Sequence, residues 1–198
     1  MKPFTLVRVA ADGACLFNSV ATGILLAQNP DNDKVKSKDV TALSRRLRAE
    51  VVDRMERLAA RNATYRMQLA VTHENMSNNN DSNNNNNSNV SNSAARYLRR
   101  MRMQKTWGGH METVMLHKIL RTKYKRYFPG GLVVHAFDAN SNDPKNTVIL
   151  GEMTGVSSVI NKSEMSNYMH IVLHDAFETG GTHFDLLRYS LNVSMIRK

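Results

Sequence analysis

The sequence is poor in cysteine and in acidic residues, and it contains no long apolar run. Its 198 residues include a single cysteine, Cys15, so the chain cannot form an internal disulfide and a reducing compartment is expected. No stretch reaches the roughly 18 consecutive apolar residues that a membrane span needs. The first residues lead into a strand-like run and not into the apolar segment of a secretory signal. We therefore expect a cytoplasmic protein, with the nucleus as a second compartment.

Acidic residues are outnumbered by basic ones, 17 to 27, which gives a formal net charge of +10. The excess is concentrated in residues 94–126, where ten lysines and arginines stand against one acid, Glu112, for a local charge of +9. Such a region favours an acidic partner or a polyanion, although solvated helix faces explain it equally simply. No aromatic-interleaved or DNA-binding motif accompanies the charge, so nucleic acid is the less favoured partner.

The order of patterns along the chain predicts helices first and strands later. A helix over residues 37–62 has an apolar stripe made of Val40, Leu43, Leu47, Val51, Met55 and Leu58. Its solvent side is predicted to hold Arg45, Arg46, Arg48, Glu50, Asp53 and Glu56. Short apolar runs at residues 132–137, 147–150, 169–173 and 183–189 read as strands. We predict one α+β (mixed α/β) domain over residues 1–198, with a small C-terminal sheet flanked by helices.

Residues 75–93 interrupt the helical part, with eleven Asn and five Ser among nineteen residues. A tract of this composition buries too little apolar surface to offset the entropy of ordering it. We predict a disordered insertion within one domain. Its deletion should leave the fold intact, because the cost of closing a loop changes slowly with length.

Cys15 stands at the junction between a turn and a helix. Asp12-Gly13 is a turn signal, and Phe17, Val20, Ala21 and Ile24 follow at helical spacing. The unpaired N–H groups and the dipole at a helix N-terminus favour a thiolate, so we expect the pKa of Cys15 to be lowered. A lone cysteine is otherwise most often a small buried packing residue.

The far end of the chain supplies partners for a nucleophile. His183 and Asp185 lie in a strand-like run after Gly180-Gly181, and residues two apart in a strand point to the same face. A carboxylate beside an imidazole orients the ring and stabilises its cationic form. One cysteine with a distant histidine and aspartate is the pattern of a thiol hydrolase.

Three blocks together resemble the ovarian tumour (OTU) family of cysteine proteases, which are deubiquitinases. They are Asp12-Gly13-Ala14-Cys15-Leu16-Phe17, then Trp107-Gly108-Gly109 with Glu112, then His183-Phe184-Asp185. They occur in the family's order and bracket nearly the whole chain. The compact domain with a low-complexity insert also resembles a virus-encoded member, which would act in the host cytoplasm.

The resemblance implies a papain-type fold and a Cys15-His183-Asp185 triad. Cys15 would attack the carbonyl after the C-terminal glycine of ubiquitin or a ubiquitin-like modifier, forming an acyl-enzyme. Backbone N–H groups at Gly13, Ala14 and Cys15 would line the oxyanion hole. Trp107, Gly108, Gly109 and Glu112 would support the site, with Trp107 buried. The acids expected to receive the arginines of the ubiquitin tail are Asp138, Asp143, Glu152, Glu164, Asp175 and Glu178.

Two alternatives remain open. Asp12 is a second candidate for the triad acid, although Asp185 is better placed to reach the far side of the imidazole. The second alternative is that the whole chain is a catalytically silent module, which binds ubiquitin or, through residues 94–126, nucleic acid. We expect no cofactor, and no metal, since His110 and His117 lie seven residues apart without cysteine partners.

Overall fold

The computed structural model describes residues 4–32, 34–78, 90–136, 148–149, 165–176 and 181–189. The helices are α1 (Cys15–Gln28), α2 (Ser37–Arg61), α3 (Ala63–Asn78), α4 (Val90–Arg102) and α5 (His110–Lys123). The strands are β1 (Phe4–Val7), β2 (Gly131–Ala136), β3 (Val148–Ile149), β4 (Tyr168–Ala176) and β5 (Gly181–Tyr189). Helices precede most of the strands, so the predicted α+β class is confirmed.

The described strands form one mixed sheet in the order β1-β5-β4-β2-β3. β2 and β4 run parallel, and the other neighbours are antiparallel. β1 pairs with β5, placing Phe4 opposite Tyr189 and Val7 opposite Leu186. This pairing brings the segment that leads to Cys15 beside the strand that carries His183 and Asp185.

Helix α1 lies between α2 on one side and strands β4 and β5 on the other. It is buried on nearly every side, from Cys15 through Ile24, as expected for a helix that is apolar all round. At Gly23 a side-chain Cβ would lie 2.8 Å from Met169 Cε and 3.1 Å from Leu186 Cδ1. Glycine thus lets α1 approach the sheet closely, and this approach holds the helix N-terminus near β5.

Helix α2 follows the predicted apolar stripe, with one exception that matters. Arg48 was predicted on the solvent side, but it is 3% exposed. It lies four residues from the buried Ser44 and from the buried Val52, in a row that widens the buried face. The physical reason is hydrogen bonding, since the guanidinium finds backbone acceptors inside the protein.

Helices α3 and α4 pack against each other on either side of the Asn- and Ser-rich segment. α3 continues to Asn78 and α4 begins at Val90, so the predicted range of 75–93 is too wide at both ends. Ser93 and Ala94 of α4 are already buried, which explains why helix begins ahead of the expected position. Residues 79–89 lie outside the described part.

None of the helices in the described ranges combines the length and apolar character that crossing a membrane requires.

Candidate active site

The turn before α1 is built by Asp12 and Gly13. Gly13 adopts a positive φ of 79°, and a Cβ there would collide with the carbonyl of Lys105, so only glycine fits. Asp12 Oδ1 accepts hydrogen bonds from the Ala14 N–H at 3.0 Å and from Asn18 Nδ2 at 3.2 Å. The side chain of Asp12 therefore closes the turn and delivers the chain into the helix at Cys15.

Cys15 is 1% exposed, and its thiol feels opposing influences. Burial raises the pKa of Cys15, as does the negative charge of Asp12, while backbone hydrogen bonds from Phe184, Leu16 and Cys15 itself lower it. The net direction is upward. The expectation of a lowered pKa is thus wrong for this structure, because removing the thiolate from water outweighs the amides at the helix N-terminus.

His183 and Asp185 lie together on β5. His183 Nε2 is 3.0 Å from Asp185 Oδ1, which matches the expectation from strand periodicity. The same carboxylate oxygen accepts the Val9 N–H at 2.8 Å, so the segment after β1 anchors it. Asp185 is 4% exposed. A buried carboxylate with two donors is well suited to hold an imidazole in one orientation.

The contact between α1 and β5 brings the two ends of the predicted triad into one region. One turn further along α1 from Cys15, the Ser19 hydroxyl donates to the carbonyl of Phe184, which lies between His183 and Asp185, at 3.0 Å. Hydrogen bonding from the Phe184 backbone is also one of the influences that lower the pKa of Cys15. This part of β5 is therefore held against the helix that begins at Cys15.

Asp12 occupies a different position from Asp185. It accepts hydrogen bonds from Ala14 in its own turn and from Asn18 in the first turn of α1, whereas Asp185 contacts the imidazole. The Ala14 N–H, one of the three amides predicted for the oxyanion hole, is engaged by Asp12. The backbone of Cys15 and of Leu16, by contrast, lowers the pKa of the thiol. The oxyanion donors are therefore better sought at the first residues of α1 than at Ala14.

The Trp107-Gly108-Gly109 segment packs beside the nucleophile's helix. A Cβ on Gly108 would lie 2.6 Å from Leu16 Cδ2 and 3.2 Å from Phe17 Cε2, so the loop approaches α1 through the glycine. Trp107 is 39% exposed, and the prediction that it is buried is wrong. The close approach of this segment to α1 is made at Gly108.

Glu112 is fully buried and joins three elements. Its Oε2 accepts the Gly109 N–H at 2.8 Å, capping α5, and its Oε1 accepts the Tyr97 hydroxyl of α4 at 2.8 Å. Burial raises the pKa of Glu112, while Gly109, Tyr97 and the charge of Arg48 oppose the rise. Its contacts are consistent with the supporting role that the resemblance implies.

Arg48 is the residue near the site that sequence patterns missed. Its guanidinium donates to the carbonyls of Gly13, Met101, Gln104 and Thr106 and lies 4.3 Å over the Phe17 ring. The available signal was its spacing of four residues from Val52, which is apolar. Charge alone placed it on the solvent face.

Three other histidines, His117, His135 and His170, have structural partners. His135 Nε2 is 3.0 Å from His170 Nδ1, and His170 Nε2 is 2.8 Å from the Met165 carbonyl. His117 Nδ1 lies 3.2 Å from the backbone of Leu132. Among the residues with described positions, no group of three or more His, Cys, Asp or Glu side chains could hold a metal ion. The acids proposed for the ubiquitin tail lie outside the described side chains.

A buried thiol at a helix N-terminus, beside a strand carrying a histidine held by an aspartate, is the arrangement of a thiol hydrolase. A family model of OTU-like cysteine proteases matches residues 10–174. The chain belongs to this family. A search of the curated proteins finds no match.

Solved structures with the same fold come from a bacterium and a virus. An OTU deubiquitinase from Wolbachia pipientis wMel aligns with a TM-score of 0.50 at 18% identity, covering 99% of this chain and 96% of that one. The viral OTU domain protease from Farallon virus aligns with a TM-score of 0.50 at 16% identity, covering 94% and 85%. These likenesses confirm the OTU-like fold.

Proposed function

We propose that the protein is a deubiquitinase that hydrolyses the isopeptide or peptide bond after the C-terminal glycine of ubiquitin or a ubiquitin-like modifier. Its partners are then ubiquitin, polyubiquitin chains and ubiquitinated proteins. The observation that carries the proposal is the packing of α1, which begins at Cys15, against β5, where Ser19 binds the Phe184 carbonyl and His183 pairs with Asp185. Membership of the OTU-like cysteine protease family supports the same reaction.

The first half of the reaction is acylation of the thiol. Because Asp185 holds Nε2 of His183, the proton of Cys15 passes to Nδ1. The sulfur attacks the glycine carbonyl carbon, and the electron pair of the carbonyl bond moves to oxygen. Amides at the start of α1 stabilise this oxyanion, and losing one such donor costs about 3 kcal/mol. As the intermediate collapses, His183 returns its proton to the departing lysine amine.

The second half regenerates the thiol. Water gives a proton to His183 and attacks the thioester carbon, and the Cys15–carbon bond then breaks with return of that proton to sulfur. Burial raises the pKa of Cys15, so the resting thiol is protonated at neutral pH. The imidazole therefore acts as a true general base in the first half, and Asp185 stabilises the cation that forms.

A ubiquitin probe with an electrophilic vinyl sulfone in place of its C-terminal carboxylate tests the proposal. Because Cys15 is the only cysteine in the chain, an adduct formed through a thiol has one possible site. We expect a covalent adduct by intact mass, none with Cys15→Ala, and cleavage of a fluorogenic ubiquitin amide by the unmodified chain. Parallel probes built on ubiquitin-like modifiers show which modifier is accepted.

The catalytically silent alternative gives a different result. Reversible binding of ubiquitin that survives Cys15→Ala, with neither adduct nor turnover in the unmodified chain, would contradict the enzyme and favour a binding module. His183→Ala is a second test, because it leaves the thiol in place while removing the base. An adduct rate unchanged by His183→Ala would show that the imidazole does not serve Cys15.

A further inference from the structure

The Arg48 guanidinium connects α2 to three other parts of the chain. Nη1 donates to the Met101 carbonyl of α4 at 3.1 Å. Nη2 lies 3.2 Å from the Gly13 carbonyl, 3.1 Å from that of Gln104 and 2.8 Å from that of Thr106. One side chain therefore joins the turn before Cys15 to the end of α4 and to the loop that follows it.

The contact with Gly13 bears directly on the nucleophile. The peptide unit between Gly13 and Ala14 is held at both ends, because Arg48 binds its carbonyl and Asp12 Oδ1 binds its N–H. The next carbonyl, that of Ala14, accepts the Asn18 N–H at 2.8 Å. With these groups fixed, the backbone that enters α1 has little freedom to rotate. The Cys15 and Leu16 amides, which follow directly, are therefore restricted as well.

The guanidinium is also a buried positive charge close to the site. It lies over the Phe17 ring, with Cζ 4.3 Å from the ring centroid, a stabilising cation–π arrangement. Asp12, Cys15 and Glu112 are the groups whose negative charge favours its protonated form. Arginine keeps its charge even where burial lowers its pKa, because the guanidinium holds its proton far more tightly than other basic side chains do.

We infer that Arg48 is a positioning residue, which holds the Gly13–Ala14 peptide and thereby aims the Cys15 and Leu16 amides at the sulfur and at the developing oxyanion. The inference rests on the proposed function for its catalytic part only. The orientation of the amides around the thiol is a property of the protein that can be measured without ubiquitin.

Arg102 provides a matched control. It also joins α4 to α2, through ion pairs with Asp53 at 2.9 Å and Glu56 at 2.8 Å. Its side chain is 45% exposed, and its recorded partners lie on α2, away from the turn. Removing Arg102 disturbs the same pair of helices and leaves the Gly13 carbonyl in place.

The experiment compares Arg48→Lys, Arg48→Met and Arg102→Met with the unmodified chain. Arg48→Lys keeps the charge but loses the planar fork that reaches several carbonyls. The first measurement is the rate of alkylation by iodoacetamide from pH 5 to pH 10, which reports the single thiol alone. The second is kcat and KM with a fluorogenic ubiquitin amide. Circular dichroism and the thermal midpoint identify the variants that fold.

We expect both Arg48 variants to raise the thiol pKa read from the alkylation profile, by about 1 unit. We expect kcat to fall by roughly 10- to 100-fold with KM changed less. Arg102→Met should alter neither profile. If the unmodified chain alkylates as expected but does not cleave ubiquitin, the proposed function fails and the alkylation shift still decides the role of Arg48.

Two results would overturn the inference. A folded Arg48→Lys with the alkylation profile and kcat of the unmodified chain would show that charge alone matters. An equal shift in Arg102→Met would show general loosening of α2 and α4. If neither Arg48 variant folds, Phe17→Leu removes the ring beneath the guanidinium and keeps the arginine. A smaller shift in the same direction supports positioning, and an unchanged profile contradicts it.

Discussion

Two aspartates lie close to the reacting groups, and each has its own partners. Asp185 accepts from His183 and from the Val9 N–H on a buried carboxylate oxygen. Asp12 is exposed and accepts hydrogen bonds from Ala14 in its own turn and from Asn18 in α1. Its negative charge raises the pKa of Cys15. A residue that opposes thiolate formation is poorly suited to assist it, so the two carboxylates should respond differently to neutralisation.

Asp185→Asn should lower kcat/KM for a fluorogenic ubiquitin amide on the order of 10²- to 10⁴-fold, because the imidazole loses the carboxylate that stabilises its cationic form. Asp12→Asn keeps an amide oxygen for the Ala14 N–H and removes the charge. It should therefore cost less than about 10-fold while lowering the thiol pKa measured by alkylation. The reverse order of the two losses would identify Asp12 as the triad acid.

At this scale the pairing of His183 with Asp185 is predictable from the sequence, whereas the surroundings of Cys15 are not. The alternation of a strand is enough to place His183 and Asp185 on one face, and the structure pairs them. The direction of the Cys15 pKa was not predictable, because it depends on how completely β5 covers the sulfur. Arg48 was assigned to solvent by its charge, since only tertiary structure shows that four carbonyls surround it.

At the scale of elements, the parallel pair β2 and β4 carries a buried histidine pair. The Met165 carbonyl can only accept a hydrogen bond, so His170 Nε2 carries the proton of the neutral ring. His170 Nδ1 then accepts a hydrogen bond from the Nε2–H of His135. The ring of Phe4 contacts both imidazoles, and the ring of Tyr168 contacts that of His170. Burial, with the neighbouring His170, lowers the pKa of His135 to about 4, and burial lowers that of His170.

This pair should make the sheet sensitive to acid. A histidine whose pKa is lower in the folded chain than in the unfolded chain is protonated at a higher pH when the chain is unfolded. The free energy of unfolding therefore falls as the pH drops below the pKa of the unfolded chain. For His135, a fall from pH 7 to pH 5 should cost roughly 2 kcal/mol. His135→Gln should remove most of that loss in urea unfolding at the two pH values, whereas the exposed His110→Gln should not.

If His135→Gln retained the full loss of unfolding free energy between pH 7 and pH 5, the acid sensitivity would belong to other groups.

The helices and strands themselves were largely predictable from periodicity, and each predicted apolar run matches a described element. The first and last residues of the helices were less predictable. The composition of residues 75–93 conceals helical turns at both ends, because packing of α3 against α4 supports residues whose own propensity for helix is modest.

At the scale of the whole molecule, the Asn- and Ser-rich segment separates two helices that already pack together. Replacing residues 79–89 with a six-residue Gly-Ser linker should change the free energy of unfolding by no more than about 1 kcal/mol, because loop closure depends weakly on length. The rate of adduct formation with the ubiquitin probe should be unchanged. Thermal unfolding and intact mass measure the two quantities, and a large loss of either would give the segment a role in the site.

The hydrogen bond from Val9 to Asp185 spans 176 residues of sequence, and it sets an order of events during synthesis. At about 5 to 20 residues per second, the ribosome releases the thiol's turn roughly 10 to 35 s before the strand that supplies the base. Throughout that interval the nascent chain contains Cys15 but lacks His183 and Asp185. Under the proposed function, the nascent chain becomes active only after β5 has been synthesised and has packed against α1.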